Sequence, residues 1–223
     1  MAKEKRELWE RQWQHRRGEE FQWYLSEAPQ QLVSLLERTD RPAGAALDLG
    51  CGNGVATAYL ARYFDPAVGL DIAHAATRQA KGLAAERGVP GRFVVAEAPV
   101  LPFRERSFSL VFDRGCLQAI PREAWATYFR EVERLLTPGG VLQLFVSKPD
   151  RRMPKLLSRR GVKARLRRLT GGKRTGGPSF LSPAAIRGLV PSSMEEQALE
   201  RFDFQTGTGT TRQFVYALFR KSA

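Results

Sequence analysis

Leu47-Asp48-Leu49-Gly50-Cys51-Gly52-Asn53-Gly54 joins a short apolar run, Ala45 to Leu49, to a helix-like segment from Val55 to Phe64. Glycines at such a strand-to-helix turn let the backbone bend sharply and let a ligand approach main-chain atoms closely. The spacing is Gly-x-Gly-x-Gly. A dinucleotide fingerprint needs its third glycine where this chain has Val55, and no Gly-Lys-Ser/Thr follows to make a phosphate-binding loop. Asp48 stands two residues before the first glycine, where a carboxylate repels a pyrophosphate and attracts a cationic ligand. Taken alone, the loop reads more readily as a structural turn than as a nucleotide site.

Outward from this loop, strand-like and helix-like segments alternate. Ala67 to Ile72 reads as a second strand and is followed by an Ala-rich helix through about Arg87. Arg92 to Ala96 and Phe108 to Asp113 read as strands three and four. Glu123 to Leu136 places Trp125, Tyr128, Phe129, Val132, Leu135 and Leu136 at helical spacing, stops at Thr137-Pro138-Gly139-Gly140, and leads into a fifth strand over 141–146. This alternation predicts an α/β fold: a Rossmann-like doubly wound sheet, mostly parallel, with helices on both faces. Pro183 to Leu189 reads as a short helix. Gln197 to Phe204 and Arg212 to Phe219 read as an antiparallel pair at the sheet's far edge. The first 38 residues read as helical and aromatic-rich. A single domain is expected, with a lid-like segment over 1–38, a core over 45–147, an insertion over 148–180 and a C-terminal helix and strand pair over 181–223.

The chain has 223 residues, 36 Lys+Arg and 23 Asp+Glu, for a formal net charge of +13. Eleven of the basic residues, and no acid, lie between Arg151 and Arg174. The remainder has 25 basic against 23 acidic residues, so this is a near-neutral domain with one cationic segment and not a histone-like protein. No apolar run approaches the roughly 20 residues of a membrane span. The charged start, Met1 to Glu7, has no apolar run behind it, so no secretory signal is expected. Cys51 and Cys116 make no disulfide framework, and no Cys/His cluster has zinc spacing. The expectation is a metal-free cytoplasmic protein.

The order of further motifs narrows the reading. Asp71 lies 21 residues past Gly50, at the end of strand two, where a carboxylate can accept both hydroxyls of a ribose. Ala96-Glu97-Ala98 ends strand three. Leu101-Pro102-Phe103, then Ser107 to Asp113, then Leu135-Leu136-Thr137-Pro138-Gly139-Gly140 follow. In this order, over about 45–147, the sequence resembles the class I S-adenosylmethionine-dependent methyltransferases. That cofactor, S-adenosyl-L-methionine, carries an ammonium and a sulfonium, which suits Asp48. Within the superfamily, Phe112-Asp113-Arg114-Gly115-Cys116-Leu117-Gln118-Ala119-Ile120-Pro121 is similar to the stretch after strand four in thiopurine- and thiol-methyltransferase-like enzymes. Gly177 to Pro183 is similar to their Gly-Pro turn, and Trp9 and Trp13 to their tryptophan-bearing start. Many relatives carry histidine near Gln118 or Ala119. This chain has none there, so a histidine-assisted mechanism is not expected.

The resemblance implies roles residue by residue. Asp48, Gly50, Cys51, Gly52 and Asn53 border the methionine end of the cofactor. Asp71 and Ile72 hold the ribose, Glu97 and Ala98 flank the adenine, and Asp113 faces the methionyl group or the substrate. Asp113 and Arg114 are the candidate catalytic pair; a strand-end ion pair is the plainer alternative. Asp71 has its own, as a helix N-cap. Trp13, His15, Phe21, Trp23, Gln118 and Phe180 are candidate substrate or lid residues, with a solvated helix position the alternative for His15. Cys51 and Cys116 lie near the cofactor or are buried inert thiols.

Methyl transfer is an in-line displacement governed by orientation in a dry pocket. A thiol or amine needs little help, whereas a hydroxyl usually wants a general base, and no His-Asp or Lys-Asp constellation is visible. A small-molecule acceptor that is already a good nucleophile is therefore expected, with an anionic one compatible with the basic segment. For residues 151–174 four readings stay open: a lid whose arginines attract an anionic substrate, a segment lying on an anionic membrane, a grip on nucleic-acid phosphates, or a solvated excursion. An RNA methyltransferase, a membrane-surface enzyme and a non-catalytic cofactor-binding protein are the corresponding alternatives. The oligomeric state is not legible.

Overall fold

A computed structural model of the chain describes residues 2–21, 23–147, 181–205 and 211–223. The basic run 151–174, the Gly177-Pro178 turn and Phe180 lie outside the described residues. Within the described residues, seven strands form one sheet: β1 (Ala46–Leu49), β2 (Ala67–Asp71), β3 (Arg92–Val95), β4 (Phe108–Arg114), β5 (Leu136–Ser147), β6 (Met194–Gln205) and β7 (Thr211–Lys221). Their order is β3-β2-β1-β4-β5-β7-β6. The first five strands pair in parallel, and β7 runs antiparallel between β5 and β6. The doubly wound sheet and its antiparallel C-terminal strand are as the alternation predicts.

Among the described residues six helices accompany the sheet: α1 (Ala2–His15), α2 (Gln30–Leu36), α3 (Val55–Leu60), α4 (His74–Glu86), α5 (Trp125–Leu135) and α6 (Pro183–Arg187). Alternation along each central strand divides the core in two. Leu47, Leu49, Val111, Leu142 and Leu144 meet the buried stripe of α5 (Trp125, Tyr128, Phe129, Val132 and Leu135) and Ile186 of α6. Ala46, Leu110, Phe112 and Phe145 meet Leu32, Leu35 and Leu36 of α2 and Leu60 of α3 on the other side. β1 is buried along its whole length, which explains why it reads as an apolar run broken only by Asp48.

Several boundaries differ from the sequence reading. The first 38 residues are not continuously helical: α1 gives way to a 3-10 turn at Gly18–Glu20, and α2 begins only after Pro29. Residues 61–63 continue α3 only as turns, and Phe64 lies beyond them. Thr137 to Gly140, read as a stop before strand five, falls inside β5. There Leu136 is level with Phe108 and Val141 with Leu110, so the Thr-Pro-Gly-Gly stretch loops out of an otherwise continuous ladder.

The sheet order reverses between β1 and β4, whose ends pair Leu49 with Asp113. In doubly wound sheets the crevice beyond the carboxyl ends of the strands at such a reversal is where ligands bind.

Candidate functional site

The glycine loop lies at that crevice. Gly50 N and Cys51 N both donate to Leu70 O (2.7 and 3.0 Å), folding the loop back over the end of β2. At Gly50, φ is +68°, and a Cβ would lie 2.8 Å from Cys116 Cβ. At Gly52, φ is +56°, and a Cβ would lie 3.0 Å from the Trp13 ring. Glycine is thus required at both positions, by conformation and by space.

Three carboxylates are buried beneath the loop. Asp71 Oδ2 accepts from Gly52 N (3.0 Å) and Oδ1 from Ala73 N (2.9 Å), so this one side chain ties the loop to the entry of α4. Asp48 Oδ2 accepts from the Thr57 hydroxyl at 2.6 Å. Asp113, with no exposed surface, accepts from Cys116 N (2.8 Å), Leu117 N (3.0 Å) and the Tyr128 hydroxyl (2.5 Å). Burial pushes all three up, Asp48 to about 7 and Asp71 and Asp113 to about 6, against the pull of their hydrogen bonds. For Asp48, the charges of Asp113 and Asp71 add to the rise. Arg114 is pushed down to about 10 by burial, with Asp48 acting against the fall. Its Nη1 donates to Trp23 O at 2.9 Å, so in place of a strand-end ion pair with Asp113 the guanidinium anchors the N-terminal segment.

That segment roofs the site. Lys5 Nζ donates to Ala119 O (2.7 Å), beyond β4. Ala75 N, at the start of α4, donates to Glu10 Oε2 (3.2 Å). Gln79 accepts from Gly18 N (3.2 Å) and donates to Trp13 O and Arg16 O (3.0 and 2.8 Å). Trp13, Phe21 and Trp23 pack in succession, the first pair tilted and the second stacked, with centroids 4.4 and 4.7 Å apart, and Trp13 and Phe21 are buried against Ala73, Ala75 and Ala76. Asn53 packs against Gly18, where a Cβ would overlap its amide. Trp13, Phe21 and Trp23 therefore do converge over the glycine loop.

The remaining candidates are distributed unevenly. Ile72 and Glu97 are half-buried and Ala98 is buried at the carboxyl edge of β2 and β3. Ala96 N donates to Asp71 O (3.0 Å), so the two strand ends move together. Gln118 is exposed, and its Oε1 accepts from Ser147 N and Oγ (2.6 and 3.0 Å), linking the segment after β4 to the end of β5. His15 is exposed at the end of α1, and His74 is exposed at the start of α4. Burial pushes both cysteine thiols well up, which keeps them protonated and poor nucleophiles. Among the described residues no group of three or more His, Cys, Asp and Glu could hold a metal ion. Thr57, Tyr128, Lys5 and Gln79 were not singled out from the sequence. Tyr128 is visible there only as part of the apolar stripe of α5, and the partners of the other three lie 9 to 114 residues away.

These residues suit S-adenosylmethionine. Each Asp71 oxygen receives one backbone N–H in the bonds above, leaving a lone pair on each for adjacent hydroxyls, and three buried carboxylates favour a cationic ligand over a phosphate. Comparison with known proteins agrees. Residues 46–140 match the family model for a methyltransferase domain. The chain is 32% identical over 119 residues to the 2-heptyl-1-hydroxyquinolin-4(1H)-one methyltransferase of Mycobacteroides abscessus, covering 53% of this chain and 52% of that protein. It is 28% identical over 140 residues to the eEF1A lysine and N-terminal methyltransferase of Bos taurus, covering 62% and 20%. The match thus spans about half the length of the first relative and a fifth of the second. Among solved structures, one described for the conversion of a disulfide bond into a thioacetal group during echinomycin biosynthesis has a TM-score of 0.72 at 22% identity, covering 97% of this chain and 92% of that one. The N-methyltransferase NodS of Bradyrhizobium japonicum WM9, in complex with S-adenosyl-L-homocysteine, has a TM-score of 0.66 at 17% identity, covering 96% and 98%. Residues 46–140 are thus similar to a methyltransferase domain, and the chain shares the fold of solved S-adenosylmethionine-dependent methyltransferases such as NodS.

Proposed function

We propose that the protein transfers a methyl group from S-adenosylmethionine to a small-molecule acceptor that is already a good nucleophile, a thiol or an amine. The observation that carries this reading is the buried carboxylate of Asp71, bonded by its two backbone partners and set between the glycine loop and α4. When bound, the cofactor supplies a methyl carbon activated by a sulfonium. Asp71 and Ile72 would hold its ribose, Glu97 and Ala98 its adenine, and the Gly50–Asn53 loop with Asp48 its methionine end.

The protein's remaining task is orientation and exclusion of water. The roof of Trp13, Phe21 and Trp23 excludes water. Asp113 acts as a positioning residue: it holds the turn Gly115–Leu117 through Cys116 N and Leu117 N, and ties it to α5 through the Tyr128 hydroxyl, with Cys116 set against Gly50. Among the described residues neither Asp113, nor a thiol, nor a histidine stands free as a general base for a hydroxyl acceptor. Asp113 is committed to its donors, the thiols are held protonated, and both histidines are exposed. This favours soft or amine acceptors and supports a place near the thiopurine- and thiol-methyltransferase-like branch.

Residues 151–174 supply eleven cations and would favour an anionic acceptor; nucleic-acid phosphate or an anionic membrane surface is the alternative those charges allow. Calorimetry should show one S-adenosylmethionine site per chain, lost in Asp71→Ala. Turnover is then screened against thiols, amines, phenols and RNA, with the product identified by mass spectrometry. No cofactor binding by the intact protein would sink the proposal. Turnover of RNA alone, steeply salt-dependent, would replace the small-molecule acceptor with a nucleic acid.

A further inference from the structure

The segment following β3 carries the two adenine-side residues, Glu97 and Ala98, and then crosses to β4 without regular secondary structure from Ala96 to Ser107. Backbone groups in such a stretch need partners outside a ladder, and here α5 supplies them. Glu131 and Arg134, one turn apart, form an ion pair through two contacts of 2.9 Å, Nε to Oε1 and Nη2 to Oε2. The same two side chains hold the loop's main chain. Leu101 N donates to Glu131 Oε2 (3.3 Å), Arg134 Nη1 donates to Phe103 O (2.9 Å), and Nη2 donates to Leu101 O (3.3 Å). Arg106 N completes the set by donating to Arg134 O (2.9 Å).

The side chains of the loop are anchored as well. Leu101 is buried, and the Phe103 ring meets Phe108 edge-on at 5.1 Å. At its near end the loop is tied to the ribose-side strand through Ala96 N and Asp71 O. A partly exposed ion pair contributes little to stability on its own. A two-point guanidinium–carboxylate pair is geometrically specific, however, and this one also fixes three backbone atoms of a single loop.

We infer that Glu131 and Arg134 are positioning residues for the adenine end of the cofactor, holding the Leu101–Phe103 loop so that Glu97 and Ala98 keep the spacing that reads the adenine amino group. The inference rests on the methyltransferase reading and deepens it. The pair touches no reacting atom. It acts through the loop, so its removal should degrade discrimination between nucleobases more than affinity as a whole.

Calorimetry on the full chain with S-adenosylhomocysteine and S-inosylhomocysteine tests this, because the second ligand has a carbonyl oxygen where adenine has its amino group. The wild type should prefer the adenosyl ligand, since the Glu97 carboxylate would face the inosine oxygen. Arg134→Met should reduce that preference roughly tenfold, short of the hundredfold that a 1 Å misplacement can cost. Arg134→Lys, which keeps the charge without the two-point geometry, should recover part of it. Glu131→Gln should give an intermediate loss and serves if Arg134→Met does not fold. Affinities for both ligands that fall by one common factor, or a melting temperature that falls while the preference holds, would overturn the inference. So would a wild type that binds the two ligands equally. A wild type that binds neither overturns the methyltransferase reading, and this inference with it.

Discussion

Thr57 donates its hydroxyl proton to Asp48 Oδ2 across 2.6 Å, and the bare Cα of Gly69 makes the room: a Cβ there would lie 2.7 Å from the Thr57 oxygen. A strand glycine, a helix threonine and a buried aspartate thus form one unit beneath the glycine loop. Thr57→Val keeps the shape and removes the donor, leaving a buried carboxyl unsatisfied. It should cost about 1–3 kcal/mol, read as a lower denaturation midpoint with unchanged slope. The loss should be larger at pH 8 than at pH 5, where Asp48 is protonated and needs the donor less. An equal loss at both pH values would contradict this account.

The pH dependence of stability should have an uncommon sign. Asp48, at about 7, and Asp71 and Asp113, at about 6, all lie above the ordinary carboxylate range, which is about 3.9 for an unfolded aspartate. Between about pH 4 and pH 7 the folded state therefore binds more protons than the unfolded one, and these three groups make stability fall as pH rises through that window. A bound cation opposes the fall. The preference for S-adenosylmethionine over S-adenosylhomocysteine, which lacks the sulfonium charge, should accordingly grow from pH 5.5 to pH 8. Calorimetry of both ligands at constant ionic strength checks it, and a flat ratio would count against the three-carboxylate picture.

Two glycine substitutions should act in opposite directions. Gly52→Ala meets both a positive φ and the Trp13 ring, so it should loosen the roof and weaken cofactor binding about tenfold or more, in line with the cost of small misplacements at a site. Gly82, in α4, has open space where a methyl group would stand, with no atom within 4 Å. Gly82→Ala should therefore stabilise the protein by about 0.5–1 kcal/mol through helix propensity. Thermal melts and calorimetry on both variants separate the two effects.

Tyr128→Phe removes one of the three donors to Asp113 and leaves the two backbone donors in place. The expected cost is about 1–3 kcal/mol, together with a further rise in the Asp113 titration, followed by carbon-13 NMR of the labelled carboxyl. An unmoved titration would show that the hydroxyl contributes nothing to holding the carboxylate.

What was legible in the sequence followed from local physics. Leu47 to Gly54 needs only a buried strand and a backbone that glycine alone can turn, and Asp71 needs only the length of one β-α-β unit. The stripe of α5 is visible because five residues at helical spacing enter one core. Illegible were the partners across the fold. Nothing local in Glu131 and Arg134 distinguishes a loop clamp from an exposed pair at i,i+3. Arg114 reads as a neighbour of Asp113 in the chain, yet it turns to a carbonyl 91 residues earlier. Thr137 to Gly140 read correctly as a break in helix, but only the strand register shows that the break is a loop-out within β5.

The roof described above also orders events in time. α1 leaves the ribosome ahead of every element it packs on, and its bonds are to Ala75, Gln79 and Ala119, the last of them 114 residues from Lys5. It cannot be seated until all of those residues have been synthesised. Trp13 and Phe21 must wait for Ala73, Ala75 and Ala76, so a segment synthesised before the whole sheet is seated only after the strands beneath it exist.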